Sequence, residues 1–149
     1  MKATKKHHLM ERADAIDSGM QDIGQASNSS GVSVKMIRHY EAIGLLPKVA
    51  RTFANYRVYS APDIHNLRFI KRSRALGFSM AEIKELLDLW RNKSRSSAAV
   101  KKVANKHIDE LTAKIDELQT MVATLTNLTK HCHGDHRPEC PILSDLEQR

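Results

Sequence analysis

The 149-residue sequence holds only two cysteines, Cys132 and Cys140. That is too few for the disulfide framework of a small secreted domain, so thiol chemistry or metal binding is the better use for them. Aromatic residues make up 5 % against 41 % hydrophobic residues overall, which describes helices packed through Leu, Ile and Ala. No run of about 18 apolar residues occurs, so no segment is expected to cross a membrane. The first residues lack the charged-then-apolar order of a secretory signal, and their Asp and Glu argue against a transit peptide, so a cytoplasmic protein is expected. There is no nucleophile elbow, no phosphate-cradling glycine loop and no paired carboxylate set, so an enzyme is not expected.

What the sequence does have is basic charge in one place. Between Ser33 and Arg74, nine lysines and arginines stand against Glu41 and Asp63, so this stretch carries the whole net charge of +7. A localised basic surface is the footprint of a polyanion site, although a merely solvated face would read the same way.

Residues 1–19 read as a flexible N-terminal extension with Lys5, Lys6, His7 and His8, in which a short helix over Leu9–Ile16 could form. Residues 20–91 read as a DNA-binding domain. Ile23–Ser27 is a short helix, Asn28–Gly31 a turn, and Ser33 the N-cap of a second helix ending near Ile43 before Gly44. Two short helices around a Gly-containing turn make a helix-turn-helix. Leu45–Tyr59 reads as a β-hairpin wing turning at Ala54-Asn55. Pro62 opens a helix that runs to Leu76, and Ser79 with Glu82 forms a capping box for another that ends near Arg91.

Residues 97–130 carry the clearest pattern. Ala104, Ile108, Leu111, Ile115, Leu118, Val122 and Leu125 alternate steps of four and three, a heptad seam on a helix about 50 Å long. The 19 residues that follow are too few to cover it, so the expected partner is a second copy of the chain, giving a homodimer. Residues 131–149 remain as a Cys-containing loop and a short helix. The fold class is therefore mainly α: a winged helix-turn-helix, a long coiled-coil dimerisation helix and a C-terminal metal-binding loop.

Ser33-Val34-Lys35-Met36-Ile37-Arg38-His39-Tyr40-Glu41, Gly44-Leu45-Leu46, Tyr56-Arg57-Val58-Tyr59 and Arg72–Phe78 together resemble the MerR family of transcription regulators, over about residues 21–143. The wing tip departs from the pattern. Ala54-Asn55 stands where the family commonly has Asn-Gly, and asparagine tolerates the positive φ such a turn needs. The tail resembles the copper-efflux-regulator (CueR-like) branch, with Cys132 after the dimer helix and Cys140-Pro141-Ile142 eight positions on. Ser97 matches the position where relatives that sense divalent ions carry a third cysteine.

Two thiolates suit Cu(I), or Ag(I) or Au(I), one ion per subunit, because soft monovalent ions accept two ligands. Zn(II) usually takes four, and His131, His133 and His136 lie close enough in sequence to complete such a set or to remain solvated. An S–metal–S unit carries one negative charge, which Lys101 near Ser97 could offset from the partner subunit, or Lys101 could simply be exposed. The N–H groups of the Pro141–Leu146 helix could also face the site.

The second helix of a helix-turn-helix enters the major groove. Lys35, Arg38, His39 and Tyr40 are expected to reach DNA from it, with Arg51, Tyr56 and Arg57 clamping backbone from the wing and Arg74 joining from the next helix. The resemblance implies a dimer on promoter DNA that distorts the duplex when metal binds, engages RNA polymerase only through the promoter, and activates copper-resistance or efflux genes. A Zn(II)-responsive or redox-responsive regulator of the same fold, or a copper chaperone or storage protein, are the alternatives.

Overall fold

The computed structural model describes residues 12–148, in two compact units that meet between Ser96 and Ser97. Of the stretch read as a flexible extension, residues 1–11 lie outside the described part. The remainder forms α1 (Arg12–Asp17), whose Ala15 is fully buried. Gly19 (φ 83°) turns the chain, and Gln21 then pairs with Tyr59 through N–H···O bonds of 2.9 and 2.7 Å in the two directions.

The helix-turn-helix is α2 (Ile23–Ser30) and α3 (Val34–Ala42). Asp22 and Gln25 cap α2 reciprocally, and the Ser33 hydroxyl accepts the Met36 N–H to start α3. Between them Gly31 sits at φ 72°, so its conformation favours glycine, whereas a Cβ there would meet only the movable end of the Lys71 side chain.

The wing is smaller than the sequence suggests. Strands β1 (Ala50–Arg51) and β2 (Arg57–Val58) are two residues each, in antiparallel register Ala50↔Val58 and Arg51↔Arg57. Asn55 takes the positive φ of the turn (66°) and is the one non-glycine among the described residues to do so. Thr52 closes the loop, donating its N–H to Tyr56 O and accepting the Tyr56 N–H on its hydroxyl.

Helices α4 (Ala61–Ala75) and α5 (Met80–Arg91) complete the first unit, each opened by a capping box, Ser60 with Asp63 and Ser79 with Glu82. The core joins Ile37, Tyr40, Leu46, Tyr59, Leu67, Ile70, Ile83 and Leu87, drawn from α3, α4 and α5 and from the wing segment. The second unit is α6 (Ser97–His131) and α7 (Pro141–Glu147), which pack against each other. Along α6, Ile108, Leu111, Ile115, Leu118, Val122 and Leu125 are each about half exposed, so the heptad stripe is uncovered in the single chain.

Candidate nucleic-acid interface and metal loop

Helix α3 divides its side chains by the helical period. Ile37 and Tyr40, three apart, face the core, whereas Lys35, Arg38 and His39 are exposed. Tyr40 therefore differs from expectation: its ring is 5 % exposed and packed as a core residue, since it shares the face of Ile37. The exposed trio is the part of α3 free to meet a groove.

On the wing, Tyr56 is exposed and Arg51 is partly so. Arg51 Nη1 donates to Asn55 O and Oδ1 at 3.1 and 3.2 Å, bracing the turn. Arg57 is committed inward. Its Nε donates to Glu41 Oε2 at 2.8 Å, which joins the wing to the last turn of α3. Arg74 is exposed in the last turn of α4.

Further back on α4, Arg68 donates through Nε and Nη2 to Ser29 O at 2.9 and 2.8 Å, at the carbonyl end of α2 where a cation is favoured. Lys71 lies over Gly31 in the same place. Arg57, Arg68 and Lys71 all belong to the basic stretch of the sequence. The structure uses Arg57 and Arg68 to hold the wing and the helix-turn-helix in position, a role that net charge cannot signal.

In the second unit, the chain leaves α6 at His131, passes an exposed loop and re-enters a helix at Pro141. The loop is shaped by Arg137, which donates its backbone N–H to Asp135 Oδ1 at 3.0 Å and Nε to Oδ2 at 2.6 Å. That guanidinium holds the Asp135 carboxyl below its usual range. The turn brings Cys132 and Cys140 together, both half-buried, with Sγ atoms 3.9 Å apart and no disulfide between them.

Cys140 occupies the N-cap of α7. No hydrogen bond of full geometry caps α7 through its side chain, yet the Leu143 amide, and after it the Ile142 amide and the Cys132 thiol, lower the Cys140 pKa against the opposing effect of burial. These contacts favour the thiolate form of Cys140. Among the described residues, no third Cys, His, Asp or Glu has its ligand atom within 4.8 Å of both sulfurs. His131, His133 and His136 are all exposed, and His131 Nδ1 is hydrogen-bonded to Asn127 O at 2.8 Å. Ser97 and Lys101 are exposed in the first turns of α6, about 45–50 Å along the helix from Cys132.

Residues 22–90 match the MerR HTH family regulatory protein family, and residues 64–128 match the MerR, DNA binding family. A 56 % identity over 84 % of this chain and 85 % of the other relates it to the HTH-type transcriptional regulator HmrR of Sinorhizobium medicae. The chain belongs to the MerR family. Similarity extends at 34 % identity, over 84 % of this chain and 91 % of the other, to the HTH-type transcriptional regulator CueR of Salmonella typhimurium. Among solved structures, the transcription regulator PbrR691 of Ralstonia metallidurans in complex with lead(II) matches 85 % of this chain and 99 % of its own, at 32 % identity and TM-score 0.77. As a MerR-family member the chain is a DNA-binding transcription regulator and not an enzyme. No helix among the described residues is long and apolar enough to cross a membrane.

Proposed function

We propose that the chain acts in the cytoplasm as a homodimeric activator of copper-resistance or efflux genes, switched by one Cu(I) per subunit held between Cys132 and Cys140. Ag(I) or Au(I) would fit the same donors. The observation that carries this reading is the pair of thiols facing each other at 3.9 Å with no third ligand converging on them among the described residues. A two-sulfur donor set suits a soft monovalent ion and leaves Zn(II) two ligands short. The likeness to CueR points the same way.

The spacing alone favours one rival. Two bonds of about 2.3 Å meeting at a tetrahedral angle separate their sulfurs by about 3.8 Å, so a Zn(II) site needs no opening of the pair. It does need two of His131, His133 and His136 to turn inward, and His131 is held by Asn127 O.

Dimerisation through the open α6 stripe covers the apolar seam. It also gives Lys101 a route to the metal loop. Within one chain it lies about 45 Å away, but two antiparallel copies of α6 place the start of one beside the end of the other. Lys101 can then offset the single negative charge of the S–metal–S unit, with Ser97 close by in the same turn. On DNA, Lys35, Arg38 and His39 enter the major groove, Arg51 and Tyr56 contact backbone from the wing, and Arg74 adds a further contact. Arg57 acts through its bond to Glu41, and Tyr40 supports the helix from the core. Metal can regulate only by binding two dimer shapes unequally, and polymerase responds through the reshaped promoter.

The test is transcription in vitro with a Cys132→Ser variant. It should bind promoter DNA as the parent does and give no metal-dependent activation. A variant that loses DNA binding as well, or that still responds to copper, overturns the proposal.

A further inference from the structure

The protein has three phenylalanines, and two of them, Phe69 and Phe78, pack against the core. Phe53 does not. At 70 % it has the largest exposure of any large hydrophobic side chain among the described residues. Unlike the α6 stripe, it lies in the first unit, at the tip of the wing between β1 and β2. The backbone on either side is held. Thr52 is buried and joined to Tyr56 in both directions, by its N–H to Tyr56 O at 2.9 Å and by the Tyr56 N–H to its hydroxyl at 3.2 Å. Asn55 donates its N–H to Thr52 O at 2.9 Å, and the Arg51 guanidinium braces Asn55 from outside. Successive side chains of an extended strand alternate, so with Thr52 turned inward Phe53 points out. No charged side chain occurs from Thr52 to Tyr56. Arg51 and Arg57 flank that stretch, and Arg57 is committed to Glu41. The tip of the wing therefore offers a polyanion an aromatic ring in place of a cation.

We infer that Phe53 is a specificity-determining DNA contact, its ring packed against deoxyribose and base edges beside the groove that α3 occupies. The inference rests on the reading of α3 and the wing as the DNA-binding face. Continuity with that face selects the occupant: along the chain the ring stands between Arg51 and Tyr56, the two wing residues placed on the DNA backbone. Apolar side chains, phenylalanine among them, meet base edges and base steps in DNA complexes. The braced turn keeps the ordering cost of such a contact low. A ring also has a different role from a cation. Cations bind any sequence by releasing counterions, and that effect supplies essentially all non-specific affinity. A ring gains only by leaving water for a closely fitted surface, which a loosely held duplex does not present. Phe53 thus strengthens binding to the fitted duplex alone, and without salt dependence.

The experiment measures DNA binding of the full chain and of its Phe53→Ala, Phe53→Leu and Arg51→Ala variants across a salt series. Two duplexes are used: one selected by the full chain from a random library, and one of random sequence with equal length. Phe53→Ala should lose about tenfold in affinity for the selected duplex and little for the random one. Its slope of log K against log salt should match the parent's on both. Phe53→Leu should recover most of the loss, and Phe53→Ala should melt at the parental temperature because the ring lies outside the core. Arg51→Ala should instead make the slope shallower by about 1 per subunit on both duplexes. Unchanged affinity of Phe53→Ala for the selected duplex, or an equal loss on both duplexes, overturns the contact. So does a loss of transcription in vitro with DNA binding intact, which would assign the ring to polymerase. If Arg51→Ala behaves as stated and Phe53→Ala does not, the contact alone fails. If neither variant changes affinity or slope, the placement of the wing on DNA fails with it.

Discussion

Glu41 at the end of α3 accepts the Arg57 Nε–H at 2.8 Å, and this one contact sets the wing against the recognition helix. Glu41 is 13 % exposed and Arg57 33 %, with Arg51 Nη2 at 4.0 Å from the other carboxylate oxygen. A half-screened pair of this kind contributes about 1 kcal/mol. Urea unfolding of Glu41→Gln, Arg57→Gln and the double variant should give a coupling energy of about that size. Both single variants should also bind DNA several-fold more weakly, because the wing loses its fixed angle. A coupling indistinguishable from zero would show that the contact is incidental.

The open stripe on α6 makes self-association the second prediction. Leu118 is 49 % exposed in the single chain, midway along the seam. Leu118→Asp forfeits about 2 kcal/mol of leucine burial and leaves a carboxylate facing apolar surface, so the dimer should weaken by at least about a hundredfold. Sedimentation equilibrium should show a parental dimer and a monomeric variant at micromolar concentration. A parental monomer contradicts the account.

Tyr59 gives an alkaline signature. Its ring is fully buried and its hydroxyl has no hydrogen-bond partner among the described residues. Burial first, and the charge of Glu41 second, push its pKa from 10.0 up to about 12. Because the folded value exceeds the unfolded one, the stability it contributes is complete below pH 10 and is lost as pH rises through about 12. The full effect is no more than about 2–3 kcal/mol. Tyr59→Phe should be equal or better in stability at pH 7 and should flatten the decline above pH 10, as read by urea midpoints. A steeper decline in the variant rules out this cause.

Legibility from the sequence followed the range of the physics involved. Local signals held: the Ser33 and Ser79 caps open helices α3 and α5, Pro62 lies in the first turn of α4, and the wing turn falls on Asn55. The heptad spacing lies along one uninterrupted helix. What depended on long-range partners was hidden. Arg68 bonding Ser29 O, 39 residues away, and Arg57 bonding Glu41, 16 away, cannot be told from free arginines by charge count. Tyr40 reads as a polar aromatic on a basic helix until the position of Ile37 shows which face is inside. At the metal loop, the cysteine pair was visible as spacing, whereas the closeness of the sulfurs depends on the Asp135–Arg137 turn and the start of α7.

The most direct test of the two-thiolate sensor is anaerobic titration of the reduced protein with Cu(I) and Zn(II) against competing chelators. Tight binding of one Cu(I) per subunit is expected, abolished by Cys132→Ser and by Cys140→Ser and unaffected by replacing His131, His133 and His136 with alanine. Preferential binding of Zn(II), lost when those histidines are removed, would leave the regulator fold standing and contradict the metal assignment.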